Sequence, residues 1–222
     1  MEKGKRSGLL CVFSSPLMNN TEPVTLLNFI EEEQQLKSIA EESNIRNYKS
    51  IIATTTDLLN EIEGDFNIIH FSGHGNEEFL FFEDFEGGVD ILDKDSVLEI
   101  FEDAKHLDLI VLSSCHSEKI GKILIKAGIK CVIAIKSDYA VYDRFATAFS
   151  QSFYQNLLVR RTSIKQAFNI AKKSIKLNAD WKKHKAFLTE ENISFIDEDK
   201  KFLLLPDNDP IEIGRASCRE RV

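Results

Sequence analysis

Two short stretches of this chain could do chemistry together. Residues 66–75 read FNIIHFSGHG and residues 109–117 read LIVLSSCHS. Each is an apolar run that stops at a turn of small residues carrying one reactive side chain, His74 in the first and Cys115 in the second. A cysteine nucleophile needs thiolate character, a proton acceptor and a place for the developing oxyanion. Cys115 lies between a strand end and a helix that Ser117 is expected to cap, and helix N-termini favour anions and lower a thiol's pKa. His74 would take the thiol proton and later protonate a leaving amine. The backbone N–H groups of Gly75 and Cys115 could form an oxyanion hole, each donor contributing about 3 kcal/mol in comparable sites. Gly73 and Gly75 on either side of His74 suit a sharp turn with close backbone approach. Either stretch alone reads equally as a loop histidine or a half-buried cysteine. The joint pattern is more specific, with two glycines around the histidine, Ser113-Ser114 before the cysteine and a helix start directly after it.

Other reactive groups have plainer readings. His70 and His74 are four apart on a strand, where they do not line up as they would across a helical turn, so His70 reads as a core histidine and no metal site is expected. His116 either shapes a pocket or faces solvent, and His106 and His184 fall in charged loops. The sixth residue after Cys115 is Gly121, not the arginine of a cysteine phosphatase. FSGHGN is not a dinucleotide-binding glycine motif, because no clear helix follows it. Asp138 and Asp143 read as first-turn charges of a helix or as walls of a substrate cleft. The acidic runs 31–33 and 197–199 read as solvated faces.

These residues need elements to hold them. Leu9–Phe13, Phe66–Ser72, Asp108–Ser113 and Lys130–Lys136 are apolar runs fit for strands buried in a parallel sheet, and Ile45–Ile52 reads as a short second strand. Helical patterns separate them: Val24–Glu42, Thr54–Glu63, a helix after Asp93 or Asp95, and one after Ser117 closed by Gly128. Phe79–Phe82 and Val89–Ile91 flank a Gly87-Gly88 turn, a hairpin-like insert. Tyr139–Leu158 carries a stripe of Phe145, Phe149, Phe153 and Leu157, and Ser163–Leu177 continues the helical pattern. After Trp181 the pattern turns to short β-like pieces, Ala186–Leu188, Ile193–Ile196 and Lys201–Leu205. Alternating strands and helices predict an α/β fold, an open, mostly parallel sheet with helices on both faces in three layers. Ligands of such sheets bind beyond the carboxyl ends of the strands, where both His74 and Cys115 fall.

The bulk properties agree. The chain has 222 residues and a formal charge of −8, which argues against a nucleic-acid surface. No run is long enough for a membrane span. Cys11 and Cys131 sit inside apolar runs as buried thiols, and the four cysteines show no paired spacing, so a reducing, cytoplasmic setting is expected. The last ten residues, IGRASCRERV, resemble the translation of a sequencing adapter, so residues 213–222 are expected to be non-native and the natural C-terminus to be missing. Residues 1–8 and 206–212 read as tails around one domain at 9–205.

The blocks HFSGHG, LIVLSSCHSEKIGKILIKAGIKCVIAI, VYDRFATAFSQSFYQNLL and SIKQAFNIAKK, in that order, closely resemble the CHAT domain, a caspase-like cysteine peptidase domain of clan CD, related to separase, caspases and metacaspases. The resemblance runs from about Leu9 to Leu177, and the spacing from His74 to Cys115 resembles that of caspases. It implies a caspase-like fold and a cysteine endopeptidase with a His74–Cys115 dyad, in a regulated signalling, defence or cell-death pathway. It also implies a protein or peptide substrate, an activating partner or fused sensor domain, and no cofactor. Ser72, Ser113, His116 and Asp138 form the candidate substrate pocket. The caspase Q-A-C-x-G signature is absent. SSCHS is nearer the metacaspase D-S-C-H-S-G pattern, with Ser113 where an acidic residue would bind a basic side chain. The other reading is a catalytically silent interaction module on the same fold.

Overall fold

The computed structural model describes residues 8–19, 22–27 and 29–206. In chain order the elements are β1 (Gly8–Phe13), β2 (Met18–Asn19), β3 (Glu22–Pro23), α1 (Phe29–Ser43), β4 (Asn47–Ile52), α2 (Thr55–Ile62), β5 (Ile68–Ser72), β6 (Phe79–Glu83), β7 (Val89–Asp93) and α3 (Lys94–Phe101). They continue with β8 (Leu109–Ser113), α4 (Glu118–Ala127), β9 (Val132–Ile135), α5 (Asp143–Tyr154), α6 (Ile164–Leu177), α7 (Ala179–Glu190) and β10 (Phe202–Leu205). A π-helical turn, Gln155–Val159, prolongs α5, and a 3-10 turn, Glu198–Lys200, precedes β10.

Six strands form the central sheet in the order β10-β9-β8-β5-β1-β4. All neighbours are parallel except β10, which pairs antiparallel with β9 at the edge. The chain moves outward from β1 to β4, then returns to place β5 on the other side of β1. The hairpin β6–β7 and α3 intervene between β5 and β8, yet these two strands are neighbours, as their apolar runs predict.

Strand alternation divides the core. Leu9, Cys11 and Phe13 face the layer of α1, α5 and α6, while Leu10 and Val12 face that of α2, α3 and α4. Both faces are therefore apolar, the condition for a buried parallel sheet. The phenylalanine stripe of α5 is core: Phe145, Phe149 and Phe153 are buried, and Phe149 stacks on Phe202 of β10 with ring centroids 4.1 Å apart. Cys11 and Cys131 are free, buried thiols. Burial raises both thiols, Cys131 to about 12.

Several sequence expectations shift. The first helix begins at Phe29, not Val24, which leaves Val24–Leu27 as a connection over the sheet edge. Thr54, read as the first residue of the second helix, is instead its N-cap and accepts from the Asp57 N–H. Residues 186–188, read as β-like, belong to α7, and 193–196 form no strand. Glu32, read as part of a solvated acidic face, is buried. The expected adapter-derived residues 213–222 lie outside the described residues. Among the described residues, no helix is long and apolar enough to cross a membrane.

Candidate active site

The site builds outward from one register pair. β5 ends at Ser72 and β8 at Ser113, and these two residues stand opposite each other. The Gly73 N–H then donates to the Ser113 carbonyl at 3.3 Å, so the two chains leave the sheet side by side. They stay close: a Cβ on Gly75 would stand 2.5 Å from Ser114 Oγ. Glycine is required at 75 by this approach. The loop carrying His74 and the loop carrying Cys115 are thus held against each other at the carboxyl edge of the sheet.

His74 is fixed from two sides. Its Nε2 lies 2.6 Å from the carbonyl oxygen of Thr25. A carbonyl only accepts, so Nε2 carries the hydrogen, and in the neutral ring Nδ1 is the basic nitrogen. The main chain of His74 is pinned by the hairpin: Phe81 N–H donates to the His74 carbonyl at 3.0 Å, and Asn76 N–H to the Phe79 carbonyl at 2.9 Å. These bonds flank the bridge between Gly75 and Leu80 and do not use the Gly75 N–H.

Cys115 is half-buried in the turn between β8 and α4, with Sγ 4.0 Å from the Val141 carbonyl oxygen. Its neighbour His116 has φ of 58°, a left-handed conformation uncommon for a side chain of this size. The His116 Nδ1–H holds that conformation by donating to the Ser137 carbonyl. Ser117 occupies the N-cap position of α4 but makes no side-chain cap bond, contrary to the capping role expected for it. Its buried hydroxyl instead accepts from the Ile135 N–H at 3.0 Å. The Ser137 N–H reaches Glu118 Oε2 at 3.2 Å. Three successive residues after the cysteine therefore strap its turn to the end of β9. The ion pair between Lys119 and Glu77 joins the start of α4 to the His74 loop, and Lys119 holds the Glu77 carboxyl below the usual range.

The candidate pocket residues separate. Ser113 ends β8 and is half-buried beside the site. Asp138 is exposed and precedes α5 by several residues; the first-turn charge of α5 is Asp143. Asp138 borders a cleft of about 440 Å³ with Tyr139, Tyr142, Trp181, Phe195 and Glu198. At its floor, buried Glu198 pairs with Lys201, whose Nζ donates to the Ala140 carbonyl at 2.7 Å. Burial pushes the Glu198 carboxyl up. Ser72 is buried, and its hydroxyl donates to Glu32 Oε2 at 2.7 Å.

That bond belongs to a buried polar cluster under the His74 loop. Glu32 Oε1 is 3.2 Å from His70 Nε2, and the Tyr154 hydroxyl is 3.3 Å from His70 Nδ1. Burial alone would raise the Glu32 carboxyl, but attraction to the nearby His70 and the hydrogen bond from Ser72 hold it below its ordinary range. His70 is thus a core histidine, and among the described residues no group of three or more His, Cys, Asp and Glu could hold a metal ion. Sequence reasoning missed Thr25, which acts through its main chain and so leaves no residue-type signal. It also missed Glu32, whose neighbours Glu31 and Glu33 disguise it as one of a solvated run.

Comparison with known proteins follows the same lines. A family model described as the CHAT domain matches residues 5–195. A search of curated proteins finds no match. Among solved structures, the chain resembles caspase-1 from Spodoptera frugiperda with a TM-score of 0.54 at 11% identity, over 78% of each chain. It resembles the Drosophila initiator caspase Dronc with a TM-score of 0.52 at 13% identity, over 78% of this chain and 74% of that one. It resembles the Arg-specific cysteine proteinase gingipain R with a TM-score of 0.53 at 13% identity, over 79% of this chain but 44% of the gingipain chain. These likenesses identify a caspase-like α/β fold.

Proposed function

The chain belongs to the CHAT domain family, and from that premise we propose that it is a cysteine endopeptidase in which Cys115 attacks the peptide carbonyl and His74 serves as base and then as acid. The observation that carries this reading is the bond from His74 Nε2 to the Thr25 carbonyl. It leaves Nδ1 as the basic nitrogen on a loop packed against the Cys115 turn. In the first step the Cys115 sulfur bonds to the carbonyl carbon, and the thiol proton passes to His74. The oxyanion is received by the Gly75 and Cys115 amides. His74 then protonates the departing amine as the C–N bond breaks, leaving an acyl-enzyme that water hydrolyses. The substrate is a protein or peptide. Ser113 and His116 lie beside the cysteine, and the Asp138 cleft lies at the end of the loop that borders it. The buried free thiols Cys11 and Cys131 support a reducing, cytoplasmic setting. An activating partner or a fused sensor domain would set when the site works.

The test is labelling by a peptide that carries a thiol-directed electrophile, with the modified residue located by mass spectrometry. The parent is expected to be labelled at Cys115 and to cleave a peptide library. Cys115→Ala and His74→Ala are expected to do neither. Labelling and cleavage equal to the parent in both variants would overturn the assignment.

A further inference from the structure

A carboxylate sealed inside a protein needs a reason. Glu32 is 2% exposed, on the face of α1 that packs on the sheet. Removing such a charge from water is costly, and a buried ion pair is often no more stabilising than apolar side chains of the same size. Glu32 is not placed among such side chains at random. It sits where three elements meet beneath the His74 loop: α1 itself, β5 through His70 and Ser72, and α5 through Tyr154 and Ser150.

We propose that Glu32 is a positioning residue for His74, a role that rests on the peptidase reading above. It works through two connections. The first is the strand: Glu32 Oε2 accepts from Ser72 Oγ at 2.7 Å, and Ser72 is the last residue of β5, two before His74. Ser72 is also held by its carbonyl, which accepts from the Ser14 N–H at 2.9 Å. The second is the helix: Glu32 is in the first turn of α1, and the connection entering that turn carries the Thr25 carbonyl that orients the imidazole. Leu27 N–H adds a bond to Ser15 Oγ at 3.1 Å, and Phe29 stacks on Phe13 of β1 with centroids 5.3 Å apart. One carboxylate therefore locks α1 to β5. It fixes the distance between the backbone that carries His74 and the carbonyl that selects its tautomer. His70 supplies the facing group for the other oxygen and is itself held by the Tyr154 hydroxyl. If α1 slid along the sheet, the bond from Nε2 to Thr25 would lengthen, and Nδ1 would no longer be the assigned base.

The test reads the His74 tautomer directly, by long-range proton–nitrogen correlation in protein labelled at histidine nitrogen, at a pH where the ring is neutral. The parent is expected to show the Nε2–H form. Glu32→Leu and Ser72→Ala are expected to shift toward a mixture of tautomers, and Glu32→Gln, which can still accept from Ser72, to fall between. On a peptide substrate the same order should appear in kcat with KM nearly unchanged, with a loss of about tenfold for Glu32→Leu. Should Glu32→Leu not fold, Ser72→Ala carries the test alone. An unaltered Nε2–H signal in folded Ser72→Ala, or an Nδ1–H form in the parent, would overturn the proposal. The tautomer readout needs no turnover, so a parent with no peptidase activity would sink the peptidase reading and leave the positioning claim to be decided by the spectra.

Discussion

The side chain of His74 is oriented by the main chain of Thr25, with 2.6 Å between Nε2 and the carbonyl oxygen. An orienting partner of this kind does what a buried carboxylate does in a triad: it fixes the tautomer and the ring plane. Because it is a main-chain group, its contribution does not depend on the residue at position 25. Thr25→Ala is expected to keep most of the activity, whereas His74→Ala should lower kcat/KM by about 10²- to 10⁴-fold. Steady-state hydrolysis of one fluorogenic peptide by both variants checks this. A Thr25→Ala enzyme as impaired as His74→Ala would assign the role to the threonine side chain.

Gly75 packs directly against the loop that carries Cys115. A methyl group there would meet Ser114 Oγ at 2.5 Å, the Phe79 carbonyl oxygen at 3.1 Å and Leu80 Cδ2 at 3.2 Å. Gly75→Ala should therefore push the loops apart and lower kcat/KM by about tenfold to a hundredfold. The nearest obstacle is one hydroxyl, so adding Ser114→Ala should recover part of that loss, a coupling that a double-mutant cycle on kcat/KM measures. Strict additivity of the two changes would mean that the loops do not touch where the structure has them.

His116 holds a left-handed backbone at φ of 58° and offsets that strain with its bond to Ser137. His116→Ala would keep the strain and lose the bond, a destabilisation of about 1 to 2 kcal/mol. His116→Gly would lose the bond and relieve the strain, so it should be the more stable of the two by about 1 kcal/mol. Urea unfolding midpoints of the two variants decide the order. The reverse order would show that the left-handed backbone at position 116 holds no strain for glycine to relieve.

Much of this was legible in the chain itself. The strands β5 and β8 are continuous apolar runs that end in small residues, a pattern that marks both the buried strand and its carboxyl end, so the juxtaposition of His74 and Cys115 loops could be expected. Less legible were features that carry no periodic signal. In α7, Trp181 and Leu188 are the buried residues and the rest is largely charged, so no stripe announces a helix. Ser117 looks like a cap because its position is right, but the hydroxyl has a stronger claim from the Ile135 N–H of β9, a tertiary bond no local pattern contains. Glu32 is the clearest case. Its neighbours Glu31 and Glu33 are solvent-facing or half-buried, and the helical rotation that buries the middle residue against His70 is visible in the structure and not in the run of three.

The same residue makes acid stability a test of the core. The Glu32 carboxyl is held below its ordinary value of 4.5 in the folded state. A depressed carboxyl stabilises the fold fully at pH above the unfolded value. That contribution is lost as the pH falls below 4.5 and through the lower folded value, because the unfolded chain then binds the proton first. The parent should therefore lose stability steeply below that pH, and part of the slope should vanish in Glu32→Gln, which has no proton to take up. At neutral pH Glu32→Gln should be less stable than the parent by about 1 to 3 kcal/mol, because an amide replaces the carboxylate that accepts from Ser72 and faces His70. Chemical denaturation of both proteins between pH 3 and pH 7, about that span being where a carboxyl titrates, should give curves that converge toward acid. Parallel curves would mean that the Glu32 carboxyl binds its proton equally in the folded and the unfolded chain, and the electrostatic account of the cluster beneath His74 would have to be given up.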